Sequence, residues 1–154
     1  MQLTRYCDYA LRVLMYVGTK GADGSATISE ISDFYGISRN HLMKVVHGLG
    51  RLGFIKTSRG KYGGLRLAKS PDQMTIGEIV RQTETNFDIV ECFNEATNEC
   101  CLTPICKLKG VLRDARSQFL QELDRYTLAD AIADPVGPDA FSLRRVALGA
   151  SRAS

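Results

Sequence analysis

The chain has 154 residues, 44% hydrophobic and 24% charged, with a formal net charge of +3; this is the make-up of one compact globular domain plus an extra element, not of a disordered chain. No apolar run approaches the roughly 20 residues that span a bilayer, and the start, MQLTRYCDYALRVL, lacks the charged-then-apolar layout of a signal peptide, so a cytoplasmic protein with no membrane partner is expected. The charge is uneven: residues 1–70 carry 11 Lys/Arg against 4 Asp/Glu, and residues 71–134 carry 6 against 12, which points to a polyanion as partner of the first half only.

Residues 3–17 place Tyr6, Ala10, Val13, Leu14 and Val17 at helical spacing behind a Thr4 N-cap, with Asp8 and Arg12 four apart on one face. After a polar connector from Gly18 to Gly24, Thr27-Ile28-Ser29-Glu30 forms a capping box for a short helix ending near Tyr35. Gly36 stops that helix and Ser38 caps the next. Two helices joined by a tight turn form a helix-turn-helix, whose second helix offers its first residues to a major groove. Here those residues are Ser38, Arg39, Asn40, His41 and Lys44. The pattern then alternates: residues 54–59 and 65–67 read as two strands around the Gly-rich turn Gly60 to Gly64. Such a hairpin is a wing, with Arg59 and Lys61 placed to meet phosphates or a minor groove.

Ser70-Pro71 closes this unit. Thr75-Ile76-Gly77-Glu78 reads as a second capping box, opening a helix to about Glu84. A polar, acidic loop covers residues 86–103. Thr103 is expected to cap a long helix with Pro104 at its first position. Ile105, Leu108, Leu112, Ala115 and Phe119 follow 3-4-3-4 spacing, a narrow seam suited to pairing with a second copy. A short helix starts at Thr127, and a flexible tail follows from Asp134. Residues 1–70 are thus expected to form a DNA-binding domain, 71–133 a cysteine loop with a dimerisation helix, and 134–154 a tail.

Four of the five cysteines fall between Cys92 and Cys106. In a reducing compartment, clustered thiols are more often ligands or catalysts than disulfides. The gaps Cys92-x7-Cys100 and Cys101-x4-Cys106 are wider than the pairs of structural zinc sites and suit an iron–sulfur cluster. Zinc and a thiol switch remain open on spacing alone. Cys7 reads as a packing residue. No nucleophile elbow and no phosphate-cradling loop is present, so no enzymatic activity is expected.

Several segments together resemble the winged-helix iron–sulfur repressors (IscR/NsrR-like): MQLTRYCDYALRVLMY, YGISRNHLMKVVHGLGRLGFI, RGKYGGLRLAK, IGEIV, TPIC, LKGVL and FLQELDRYTLAD. Within that family, SRNHLMKV, RGKYGG and Asp8 resemble the nitric-oxide-sensing branch more than the cluster-assembly regulators. The resemblance covers roughly residues 1–133. It implies a mainly α fold with a small β-hairpin, a winged helix-turn-helix plus a long dimerisation helix, in a symmetric homodimer. It also implies a [2Fe-2S] or [4Fe-4S] iron–sulfur cluster held by Cys92, Cys100 and Cys106, with Asp8 contributed by the partner subunit. Seven residues between Cys92 and Cys100 exceed the family's usual gap, so Glu91, Glu95, Glu99 or Cys101 are alternatives to Cys92. The implied function is repression at a palindromic operator in double-stranded DNA, with release when nitric oxide reacts with the cluster. The competing readings are a cluster-homeostasis regulator of the IscR kind and a zinc-stabilised DNA-binding module.

Overall fold

The computed structural model describes residues 2–22, 24–58, 60 and 63–133. The expected tail from 134 lies outside them. Helix α1 runs Arg5–Gly18, with the Thr4 hydroxyl accepting the Cys7 N–H at 3.2 Å. Its buried face is Cys7, Ala10, Val13, Leu14 and Val17, a 3-4 pattern that presents one stripe inward. Helix α2 spans Ile28–Tyr35 and has both halves of its capping box: the Glu30 N–H donates to Thr27 Oγ1 (3.2 Å), and the Thr27 N–H donates to Glu30 Oε2 (2.6 Å). Gly36, at φ 68°, ends it in the left-handed conformation that a Cβ disfavours. Ser32 Oγ then donates to the Ile37 carbonyl at 2.7 Å and fixes the turn.

Helix α3 spans Arg39–Arg51 behind its Ser38 cap and buries Leu42, Val45, Val46 and Leu49. It crosses α1 where Gly48 faces Tyr6; a Cβ on Gly48 would overlap the Tyr6 hydroxyl. Strands β1 (Ile55–Ser58) and β2 (Gly64–Leu67) pair antiparallel, Ile55 opposite Leu67 and Ser58 opposite Gly64. Ala26 adds a bridge to Leu65, with N–H···O bonds of 3.0 and 2.7 Å, which ties the hairpin to the connector before α2.

Helix α4 spans Ile76–Thr83. Thr75 caps it by accepting the Glu78 N–H at 3.0 Å. The expected reciprocal half of that box is not formed: the Glu78 carboxylate pairs with Lys69 instead, at 3.5 Å. Helix α5 spans Lys107–Asp124 and α6 spans Leu128–Ile132. The start of α5 corrects the expected one. Thr103 and Pro104 lie in turns ahead of the helix, and Cys106 is the N-cap. The reason is competition, because the Thr103 hydroxyl is engaged by Asn98 at 3.0 and 3.2 Å and does not cap.

One core unites the two halves. Met74, Ile79 and Leu128 are fully buried in the same cluster as Val13, Leu14, Ile31, Leu42, Leu49 and Phe54. Burying each such side chain stabilises the fold by about 1.5–3 kcal/mol. Helix α1 packs against α3, α4 and α6, so it lies at the centre. Thr75 and Thr127 form a backbone bridge, flanked by Ile76 N–H to the Tyr126 carbonyl and Leu128 N–H to the Met74 carbonyl, both 2.8 Å. Arg81 and Asp124 pair bidentately across α4 and α5. The chain thus leaves the body after α4 and returns beside it at Tyr126.

Helix α5 itself contributes no buried residue. Leu112, Phe119 and Leu123 are half-buried. Ile105, Leu108 and Val111 are exposed, at 80%, 61% and 62%. The expected seam thus divides between two faces, and Val111, not part of it, belongs to the exposed one. Among the described residues no helix is long and apolar enough to cross a membrane.

Candidate metal centre and nucleic-acid interface

The first turn of α3 leaves Ser38, Arg39, Asn40, His41 and Lys44 exposed, while Leu42 and Val45 anchor the helix from behind. This division follows from the 3.6-residue period: the apolar positions face the core, so the polar ones face out. No acidic residue lies in that turn, and the helix N-terminus adds partial positive charge, so the surface suits phosphate and base edges. Met43 is 50% exposed on the same helix. Sequence reading passed over it as an apolar residue. Its position three and four residues from Asn40 and Arg39 was the signal that it faces outward, where an apolar side chain can meet a thymine methyl. The other two expected contacts, Arg59 and Lys61, lie outside the described residues.

Asp8 lies on the half-exposed side of α1. Its carboxylate accepts from Arg12 Nε at 2.9 Å and meets Nη2 at 2.8 Å. The Arg12 guanidinium also lies over the rings of Tyr9 (6.0 Å) and Tyr35 (5.8 Å). The Tyr9 ring in turn lies 6.4 Å from that of His41. Asp8 is therefore connected, through two side chains, to the exposed turn of α3 and to the end of α2.

The cysteine loop is irregular but not unstructured. A 3-10 turn at Glu91–Phe93 buries Cys92. The Glu91 carboxylate accepts the Glu99 N–H at 2.6 Å, and Asn98 Oδ1 accepts the Cys100 N–H at 3.1 Å. Glu91 is thus occupied in closing the loop. Cys100 and Cys101 are exposed, Cys106 is half-buried at the start of α5, and all are free thiols. Cys7 is fully buried, and burial pushes its thiol up to about 11, which suits packing and not ligation. Among the described residues of one chain, no three His, Cys, Asp or Glu side chains gather closely enough to hold a metal ion. The loop does not bring Cys92, Cys100 and Cys106 together with Asp8 within a single subunit. By chemistry the donors still fit an iron–sulfur cluster: three free thiols of one loop are soft ligands.

Comparison with known proteins gives a consistent picture. A family model described as "Rrf2: Iron-dependent Transcriptional regulator" matches residues 3–134. The chain is 52% identical to the HTH-type transcriptional regulator NsrR of Bacillus licheniformis, covering 86% of this chain and 92% of that protein. It is 47% identical to the regulator of the same name from Bacillus subtilis, covering 86% and 90%. Among solved structures it is similar to CymR, the global cysteine regulator of B. subtilis, with TM-score 0.66 and 25% identity over 85% of this chain and 95% of that one. T. potens IscR superposes with TM-score 0.68 at 22% identity, covering 85% of each chain, a likeness of fold.

Proposed function

The chain belongs to the Rrf2 family of iron-dependent transcriptional regulators, and we propose that it is a dimeric repressor that senses nitric oxide through an iron–sulfur cluster. The observation that carries this reading is the placement of Asp8, an exchangeable carboxylate linked to the recognition helix, in a chain about half identical to regulators named NsrR. Cys92, Cys100 and Cys106 would hold the cluster from one subunit, and Asp8 of the partner subunit would complete it. When bound, the cluster supplies iron atoms with which nitric oxide reacts.

The protein's own part is a choice between two partners for one carboxylate. Asp8 pairs with Arg12 at 2.8–2.9 Å, and a metal that took this carboxylate would take it from Arg12. Arg12 holds Tyr9 and Tyr35, and these border His41 and the turn between α2 and α3. The two choices favour different seatings of the reading head, and a ligand that binds one of them shifts the population. In the operator-bound form, the α3 helices of the two subunits enter successive major grooves of a palindrome. Arg39, Asn40, His41 and Lys44 contact bases and phosphates there, and Arg59 and Lys61 of the wing reach the neighbouring backbone. The exposed stripe Ile105, Leu108 and Val111 pairs the α5 helices.

The test is anaerobic purification with visible absorption, then nitric oxide titration against an operator mobility-shift assay. A coloured protein that loses its operator as nitric oxide is added is expected. A colourless zinc protein overturns the proposal, and a coloured one whose DNA binding ignores nitric oxide favours regulation by cluster supply. Asp8→Ala is expected to keep much of its iron yet lose or alter regulation; parental binding and response would remove the link between subunits.

A further inference from the structure

The cysteine loop has one polar attachment to the rest of the fold among the described residues, and it comes from α5. Arg116 Nη1 donates to the Phe87 carbonyl at 3.4 Å. The same guanidinium lies over the Phe93 ring, 4.6 Å from its centroid. Every other side-chain hydrogen bond of residues 85–105 stays inside the loop. Arg116 thus grips the chain on both sides of Cys92. Cys92 is also the loop's one buried thiol, at 9% exposure, while Cys100 and Cys101 are open to solvent.

We propose that Arg116 is a positioning residue that fixes the Cys92 turn on α5 before any metal arrives. The proposal rests on Cys92 being a ligand, as in the function proposed above. Its chemistry is specific to arginine: a planar guanidinium can lie flat on a ring and still direct an in-plane N–H at a carbonyl, whereas an ammonium presents a compact point charge. Because α5 also carries the stripe that pairs with a second subunit, the clamp sets one thiol in the frame of the helix nearest the partner. Cys106 is set on α5 as its N-cap, whereas Cys100 and Cys101 lack such an attachment and are free to close around metal afterwards.

Iodoacetamide labelling of the metal-free protein, read residue by residue by mass spectrometry, tests the clamp without any cluster. In the parent, Cys92 should react at least about tenfold more slowly than Cys100, the scale of one desolvated cation–π contact opposing local opening. Arg116→Ala and Phe93→Leu should each erase that difference, leaving Cys100 and Cys106 unchanged. Phe93→Tyr, which keeps the ring, should retain it, and circular dichroism should match the parent throughout. In the iron-loaded protein, Arg116→Ala should release iron to a chelator roughly tenfold faster, the same contact being lost. Unchanged Cys92 labelling in Arg116→Ala overturns the clamp. Cys92 exposed by Arg116→Ala with parental iron release overturns the positioning role if Cys92→Ser loses iron. If Cys92→Ser keeps its iron, Cys92 is not a ligand; the metal role of Arg116 then falls with that assignment, while the labelling result still judges the clamp itself.

Discussion

Val111→Asp should separate dimerisation from folding. Val111 is 62% exposed and lies outside the core, one helical turn from Leu108 at 61%, with Ile105 at 80% in the turn just ahead of the helix. Complete burial of such a side chain is worth about 1.5–3 kcal/mol. Covering the exposed three-fifths or more of each therefore yields roughly 1–2 kcal/mol, or about 6–12 kcal/mol for the three residues of both subunits. Much of that is consumed by the loss of rotational and translational freedom on association. Val111→Asp removes about 1 kcal/mol of it per subunit and places an unpaired carboxylate in each half of the interface, at about 1–3 kcal/mol apiece. A total of at least about 4 kcal/mol corresponds to roughly a thousandfold weaker dimer. Meanwhile the subunit's own stability should change by no more than about 0.5 kcal/mol, the usual range for surface positions. Sedimentation equilibrium across micromolar concentrations reads the first quantity, and thermal unfolding at high dilution, where the parent is also monomeric, reads the second. Ser117→Asp, elsewhere on the same helix, is the control and should stay dimeric. A Val111→Asp protein that remains dimeric, or one that unfolds as a monomer, would refute the assignment of this stripe.

Gly48→Ala should destabilise by up to about 2 kcal/mol, an overpacking cost of about 1–3 kcal/mol partly offset by alanine's better helix propensity of about 1 kcal/mol. Urea unfolding should show that loss vanish in a Tyr6→Phe background, because the atom that a Cβ overlaps is the Tyr6 hydroxyl; equal losses in both backgrounds would rule out the close approach as the cause. Lys44→Ala should weaken binding to all DNA sequences alike and reduce the slope of log K against log salt by about 1, measured by fluorescence anisotropy; a selective loss at one base pair would make Lys44 a base reader. The Cys7 thiol, pushed up to about 11 by burial, gives an alkaline signature. Above about pH 9 the unfolded thiol loses its proton while the folded one keeps it. The unfolded state then holds fewer protons, and stability falls with rising pH by about 1.4 kcal/mol per unit until about 11. The stability difference between parent and Cys7→Ala should narrow over that window and stay constant below it.

Features set by neighbours along the chain were legible in the sequence. Thr4, the Thr27–Glu30 box, Gly36 and Ser38 each act within four residues, and each stands where the spacing places it. The start of α5 was not, although Thr103-Pro104 has the right chemistry to open a helix. Its hydroxyl is taken by Asn98, a competitor that a cap pattern does not register. The seam of α5 was half legible, because a 3-4 repeat says that a helix has an apolar face but not how that face is shared between the chain's own body and another surface. At the candidate site, cysteine spacing gave no reason to expect that Cys92 alone would be buried, or that Arg116, 24 residues on, would hold its turn. Nor could it show Arg12 lying over Tyr9 and Tyr35, which depends on how α1 and α2 pack.

The bridge between Thr75 and Thr127 bears on how such a regulator can diversify. With α4 packed in the core and joined to the end of α5 through Arg81 and Asp124, the loop between them is strung from elements already held side by side, so its length is decoupled from the geometry of the DNA-reading head. A residue gained or lost between Cys92 and Cys100 changes the reach of the loop without moving α3 in a groove. The thermodynamic resistance is small, since each doubling of a flexible loop costs only about 0.6 kcal/mol in closure entropy. Evolution can therefore tune the sensing segment by insertion and deletion while the operator it addresses stays the same.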